Sequence, residues 1–271
     1  MNSLSLSSDS QKDDLYPNFT AMNDLSETLS TFTPISLAEM DHVKLLNRID
    51  TKFVIHGSEL IGFLNVLAAD YKLLTIDDKP IQPYETLYYD TPGFKLYQMH
   101  HNGRRNRYKL RCRKYVNSGI SFFEIKSKTN TRRTIKKRMQ VDSIPQILTE
   151  PLNQYIKENT PGEFQNYVPS LQVFFERLTL VNKNANERLT FDMNLRYLNE
   201  RGEKKTGDMV IVEVKQEKNA ISPYREIMKL QRHPENYLSK YCLGVTSLNC
   251  TLKKNRFKQK YSMLNKLGYD I

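Results

Sequence analysis

The sequence predicts an α+β protein, a largely antiparallel sheet with helices packed outside it. Two observations carry this. Several stretches alternate apolar and polar residues with the period of two that a half-buried strand requires. Short turn signals separate them, among them Pro92-Gly93, Asn102-Gly103 and Asn117-Ser118-Gly119. Helical spacing is kept to the ends and middle of the chain, which suits an antiparallel sheet better than βαβ crossovers.

In chain order, residues 1–33 are rich in Ser, Thr, Asp and Asn without a sustained period, and read as a disordered tail. Residues 34–271 are expected to form one domain. "SLAEMDHVKLLNR", 36–48, sets Ser36 and Glu39 at capping-box spacing and predicts a helix. "RIDTKFVI" alternates as a strand, and "GSELIGFLNVLAADY" puts Leu60, Phe63, Leu64 and Leu67 on one helical face. Strands follow at "YETLYYDT", "NRYKLRCRKY", "ISFFEIKSK" and "RTIKKRMQV". "IPQILTEPLNQYIKEN" reads as a helix with a proline break. Strands resume at "LQVFFERLTLV", "ERLTFDMNLRYL" and "DMVIVEVKQE", and from "SPYREIMKL" onward the pattern is mostly helical.

The polar faces of these strands are cationic. Arg107, Lys109, Arg111 and Arg113 share one face, opposite Tyr108, Leu110 and Cys112. Glu124, Lys126 and Lys128 align with Phe122, and Arg132, Lys136 and Arg138 align with one another. Arg48, Asp50 and Lys52 share a face, as do Glu213, Lys215 and Glu217. Arg188, Asp192, Asn194 and Arg196 are expected on a face opposite Leu189, Phe191, Met193 and Leu195. A wet sheet face explains any one strand. Across the set, cations outnumber acids, so neighbouring strands would set like charges side by side unless an anion lies among them. Closing the sheet would line a lumen with these faces, and a cationic lumen suits a polyanion: Arg as a fork of donors, Lys as a point charge.

Composition agrees. The chain of 271 residues carries a formal net charge of +11, which favours an anionic partner. Cys112, Cys242 and Cys250 show neither disulfide nor zinc spacing, and the histidines form no metal motif. No apolar run reaches the roughly 18 residues of a membrane span. No secretory leader pattern opens the chain, so a cytoplasmic location is expected.

The stretches "NRIDTKFVI", "YYDTPGFKLY", "NRYKLRCRKY", "FFEIKSK", "IKKRM", "FFERL", "RLTFD", "EVK" and "LSKYCLG" occur in that order along most of the chain. In this ordered series the sequence resembles the vacuolar transporter chaperone (VTC) domain of polyphosphate polymerases, within the triphosphate tunnel metalloenzyme superfamily. The resemblance implies a closed antiparallel β-barrel, a tunnel of about eight strands with helices outside. It implies transfer of the terminal phosphate of ATP to a growing inorganic polyphosphate chain, with Mn²⁺ or Mg²⁺ as cofactor. Lys52, Arg111, Arg113, Lys126 and Lys136 correspond to cations that grip triphosphate or product, and Arg177 and Arg188 to phosphate-binding arginines of the second half. Glu213 corresponds to the metal-binding glutamate and Lys240 to a lysine beside the phosphate path. His100, Arg107, Lys109, Lys128, Arg138 and Lys215 are further substrate-binding candidates.

The series also departs from its pattern. The superfamily signature E-x-E-x-K stands here as Arg48-x-Asp50-x-Lys52, and His100 stands near an arginine of eukaryotic relatives. Without the regulatory domain and membrane helices of those relatives, a free-standing bacterial-type member is expected, with a membrane-protein partner left open. Two other functions fit the same residues: a tripolyphosphatase or nucleoside triphosphatase, and a non-catalytic polyanion- or RNA-binding module. A specific nucleic-acid ligand is not expected, because the aromatics alternate away from several basic faces or belong to the core.

Overall fold

The computed structural model describes residues 19–40, 48–131, 134–160, 166–218 and 220–269. Among the described residues, eleven strands form one sheet. Its path runs β2 (Arg48–His56), β11 (Met209–Glu217), β9 (Glu187–Asn199), β8 (Val168–Asn182), β4 (Ile81–Asp90), β5 (Arg107–Tyr115), β6 (Ser121–Lys128), β7 (Thr134–Val141). Every pair along that path is antiparallel. Off it, β1 (Thr33–Ile35) lies parallel to β3 (Tyr71–Leu74), which joins β8, and β10 (Gly202–Lys205) forms a hairpin with β9.

The α+β architecture and antiparallel sheet agree with the sequence reading, but the expected closed barrel does not. β2 and β7 end the path, and no pairing joins them among the described residues. The reason is visible in the edges. β7 is exposed along most of its length and carries Lys136, Lys137 and Arg138 in succession, while β2 begins with exposed Arg48, Ile49 and Asp50. Charged, exposed edges resist strand pairing. The structure is therefore a twisted, tunnel-like sheet, open between its two ends.

Among the described residues three large apolar clusters hold the sheet, with a small fourth of Ile35, Leu74 and Val181 where β1 and β3 join β8. On the outer face of the second half, Phe53, Leu189, Phe191 and Val212 pack under α3 (Gly57–Leu67) and α6 (Pro223–Leu230). All four α3 residues picked by spacing are buried there, each fully buried Leu or Phe contributing about 1.5–3 kcal/mol. Outside the first half, Leu110, Cys112, Phe123 and Ile125 pack under α4 (Lys95–His101) and α5 (Glu150–Asn159). The third cluster lies on the inner face. Val54, Tyr88, Leu171, Val173, Phe175 and Tyr197 meet α7 (Lys240–Leu248) and α8 (Lys258–Lys266) and floor one end of the concavity. Gly244 allows this approach, since a Cβ there would collide with the Tyr197 ring and with Leu171.

Other differences from the sequence reading have local causes. Residues 19–30, read as tail, form helix α1, and Leu29 with Phe32 joins the first cluster. Residues 1–18 lie outside the described residues. α2 (Leu37–Met40) begins as expected, with Glu39 accepting from the Ser36 backbone N–H at 2.9 Å; residues 41–47 of the expected helix lie outside the described residues. Strand β3 occupies "YKLL", of which the sequence reading takes Tyr71 as the end of a helix and gives 72–74 no element. Alternation also breaks within β9. Between Phe174/Arg196 and Glu176/Met193, one residue of β8 faces two of β9, a bulge in which Asn194 adopts φ 53°. Beyond it Leu195 and Tyr197 turn inward, while Arg196 turns outward over the Phe174 ring. No helix among the described residues is long and apolar enough to cross a membrane.

Candidate active site: a cationic groove

Strand register sets the inner face. Lys52 pairs with Glu213, Glu213 with Thr190, Lys215 with Arg188, and Asp192 with Arg177. In the other half Thr86 pairs with Arg113, Tyr88 with Arg111, Arg111 with Glu124, Glu124 with Arg138, and Lys126 with Lys136. The halves face one another: the charges of Glu213, Lys52 and Asp50 act on the exposed Lys126 amine, and that of Lys52 acts on Lys109. Arg111, Arg113, Lys126, Lys136, Arg177, Arg188, Lys52, Lys215 and Glu213 thus share one groove, and Lys240 enters it from the first turn of α7.

Among the described residues, three carboxylates of the groove each hold two of these cations. Glu124 accepts from Arg111 Nε at 2.7 Å and is ion-paired with Lys136. Asp192 accepts from Arg177 Nε at 2.6 Å and Nη2 at 2.8 Å and is bonded by Lys240. Glu213 faces Lys52 at 3.4 Å and Lys215 at 3.1 Å. Burial alone would raise these acids. The adjacent cations outweigh it, bringing Glu124 down to about 2 and holding Asp192 and Glu213 below the usual carboxylate range. Glu124 and Asp192 are site residues that the sequence reading left out of its candidates. Their signal was present: an acid on each cationic face, at a position where it can bridge neighbouring strands.

Other cations have no carboxylate partner among the described residues. Arg113, 9% exposed, lies over the Tyr84 and Phe175 rings at 5.3 and 5.8 Å and reaches Thr86 Oγ1 at only 3.4 Å. Arg188 touches Met40 Sδ at 3.9 Å, and its buried Nε has no hydrogen-bond partner among the described residues. The Thr190 hydroxyl, opposite Glu213, is also buried without a partner among the described residues. Unpaired buried donors of this kind are costly in a protein with no further ligand, and they fit a site shaped for one.

A second basic group lies where β5 meets α4, α7 and α8. His100, Arg107, Lys109, Lys128 and Lys260 interact there, and His100 and Lys260 line a small cavity with Ser239, Cys242 and Phe257. Lys109 donates to Ser239 Oγ at 2.6 Å, and Arg107 to the Arg104 carbonyl at 2.9 Å. Burial and the surrounding cations push His100 down to about 2, so its imidazole is neutral. Arg138, the remaining candidate, is exposed at the rim with its guanidinium over the Phe122 ring at 4.6 Å.

The family model of the VTC domain matches residues 47–249. The chain belongs to the VTC domain family. No match was found among curated proteins. Solved structures similar to this VTC domain include a candidate adenylate cyclase from Vibrio parahaemolyticus, at 15% identity and TM-score 0.44, covering 74% of this chain and 99% of that one. A candidate adenylate cyclase from Bacillus halodurans is 12% identical with TM-score 0.40, covering 79% and 96%. A Hippeastrum protein described as a candidate adenylyl cyclase with a dominant triphosphatase activity is 11% identical with TM-score 0.38, covering 72% and 94%. At these TM-scores the likenesses carry no functional weight. Family membership and the cationic groove together indicate a phosphate-directed function.

Among the described residues of this VTC domain, no three His, Cys, Asp or Glu side chains cluster into a metal cage. Mg²⁺ and Mn²⁺ do not require one: Mg²⁺ typically binds one or two carboxylates and completes its shell with water and substrate phosphates. Glu213, kept ionised and set opposite the partnerless Thr190 hydroxyl, fits that mode.

Proposed function

We propose that this VTC domain, residues 34–271, is a polyphosphate polymerase that transfers the terminal phosphate of ATP to an inorganic polyphosphate chain. The observation that carries the reading is the convergence of cations from facing strands on one groove around an ionised Glu213. Phosphoryl transfer demands mainly positioning and charge neutralisation. Lys52, Arg111, Arg113, Lys126, Lys136, Arg177, Arg188 and Lys240 supply both without a nucleophilic side chain. Lys215 supports Glu213, and His100, Arg107, Lys109, Lys128 and Arg138 line the ends of the path.

Glu213 would hold Mn²⁺ or Mg²⁺, which supplies positive charge to the phosphate oxygens when bound. The acceptor oxygen at the chain end is already anionic. It attacks the γ-phosphorus, the bond to ADP breaks, and no proton has to be removed. The Tyr84 and Phe175 rings stack on each other at 5.0 Å beneath Arg113 and Arg177, with Phe175 buried. Engaged rings of this kind offer no free face to a nucleobase, which argues against an RNA-binding module.

The test is incubation with ATP and Mn²⁺ or Mg²⁺, with products resolved on a gel. ADP together with long polyphosphate supports the polymerase. ADP with free phosphate and no polymer makes water the acceptor and the protein a triphosphatase. Metal-independent polyanion binding without ATP turnover makes it a binding module. A cytoplasmic site of action and a membrane partner that receives the polymer are compatible with this reading.

A further inference from the structure

We propose that Tyr88 is a substrate-contacting residue of the groove, its hydroxyl donating a hydrogen bond to an oxygen of the bound phosphoanhydride chain. This rests on the proposed function for the nature of the ligand, and adds a neutral donor to a groove otherwise described by its charges. Tyr88 sits on β4 directly opposite Arg111 of β5. Its ring is 6% exposed, belongs to the apolar floor and stacks on Tyr241 at 4.9 Å and 29°. Its hydroxyl therefore stands at the junction between that floor and the charged groove.

The hydroxyl accepts from Arg111 Nη1 at 3.4 Å, and among the described residues its own proton has no acceptor. The cations whose charge acts on it, Arg111, Arg113 and Lys109, are donors only. An oxygen of an anionic ligand would accept that proton and satisfy the same cations. Burial alone would raise the phenol, yet those three charges bring it down to about 8, so it is polarised as a donor. The other ionisable groups around it are Glu124, which engages Arg111 from β6, Tyr197 on β9, and Tyr241 on α7, whose hydroxyl is held by Asp90.

The experiment compares wild type, Tyr88→Phe and Tyr241→Phe for binding of tripolyphosphate by calorimetry, without metal or ATP. Tyr88→Phe keeps the stacked ring and removes only the oxygen. It should weaken tripolyphosphate about ten- to a hundredfold, the loss expected of a hydrogen bond to a charged group. Tyr241→Phe removes an equally buried hydroxyl that faces Asp90, so it should lower the melting temperature and leave affinity within about threefold. A tyrosinate absorbance titration should show one phenol near pH 8 in the free wild type, moved upward by tripolyphosphate and absent from Tyr88→Phe. Equal affinity of wild type and Tyr88→Phe, or equal losses in both variants, overturns the inference. If the wild type binds tripolyphosphate through Tyr88 but makes no polymer from ATP, the inference stands and the polymerase reading falls.

Discussion

Arg177 grips Asp192 through two parallel hydrogen bonds, at 2.6 and 2.8 Å, while Lys240 reaches the same carboxylate from α7. One acid therefore ties β8, β9 and a helix together inside a groove whose other charges are mostly positive. Asp192 is 1% exposed and Arg177 13%. Breaking a buried pair by removing one partner costs roughly 3–5 kcal/mol, because the remaining charge stays buried and uncompensated. Asp192→Asn should lose stability of that order in urea unfolding. Saturating tripolyphosphate, which supplies negative charge to Arg177 and Lys240, should recover part of it. Less than about 1 kcal/mol lost would show that the cations relax to solvent and that Asp192 is no strut.

Glu213 holds a different position, because both of its partners, Lys52 and Lys215, face the groove with it. Glu213→Gln keeps the shape and removes the charge. Metal-free binding of tripolyphosphate should then stay the same or tighten, since two ammonium groups lose their internal competitor. Metal-supported turnover should collapse, and so should Mn²⁺ binding in the presence of tripolyphosphate. Calorimetry with and without Mn²⁺ separates the two effects. A variant that keeps its full metal response would remove Glu213 from the metal site.

Much of this groove was legible because period two is a strong signal where one strand face is buried. It placed Arg111, Lys126, Lys136 and Glu213 on inner faces. The reading failed where the backbone departs from the ideal pleat: Arg196 follows the β9 bulge, whose only local mark is Asn194 in a left-handed conformation. It also stopped short of Asp192 and Glu124, whose role depends on which strands are neighbours. Closure was not legible at all, since nothing within β2 or β7 alone states whether the two edges meet. In α1, polar residues outnumber apolar ones, and Leu25 and Leu29 find their apolar partners only across the fold.

Arg113 and Lys114 are adjacent on β5 and point to opposite faces, which separates site chemistry from overall basicity. Arg113 has no carboxylate partner among the described residues, so its loss should weaken the anion without stranding an acid. Arg113→Ala should cost one to two decades in tripolyphosphate affinity or in turnover, from roughly 1.5–3 kcal/mol for a charged hydrogen bond. Lys114→Ala should cost little of either. Arg111→Ala should weaken binding similarly but also destabilise the fold, because Glu124 would keep only Lys136. Urea unfolding run beside binding tells these cases apart. Equal damage from Arg113→Ala and Lys114→Ala would point to a diffuse basic surface and end the groove assignment.

Burial brings Lys109 and Lys215 down from 10.5 to about 8. Above that pH both amines are increasingly neutral in the free protein and attract a polyanion less, so tripolyphosphate affinity should fall as pH rises through about 8. A bound anion favours the charged amines, so binding near this pH should take up protons, measurable by calorimetry in buffers of different ionisation enthalpy. Folding moves the opposite way. Between about 8 and 10.5 the unfolded chain holds more protons on these lysines than the native protein does, so their contribution to stability rises with pH across that window and is lost as pH falls through about 8. Lys109→Met should bind more weakly at pH 7 and show a shallower pH dependence of both affinity and stability than wild type. Wild-type affinity that stays flat from pH 7 to 9.5, with no proton uptake, would show that neither amine meets the phosphate chain.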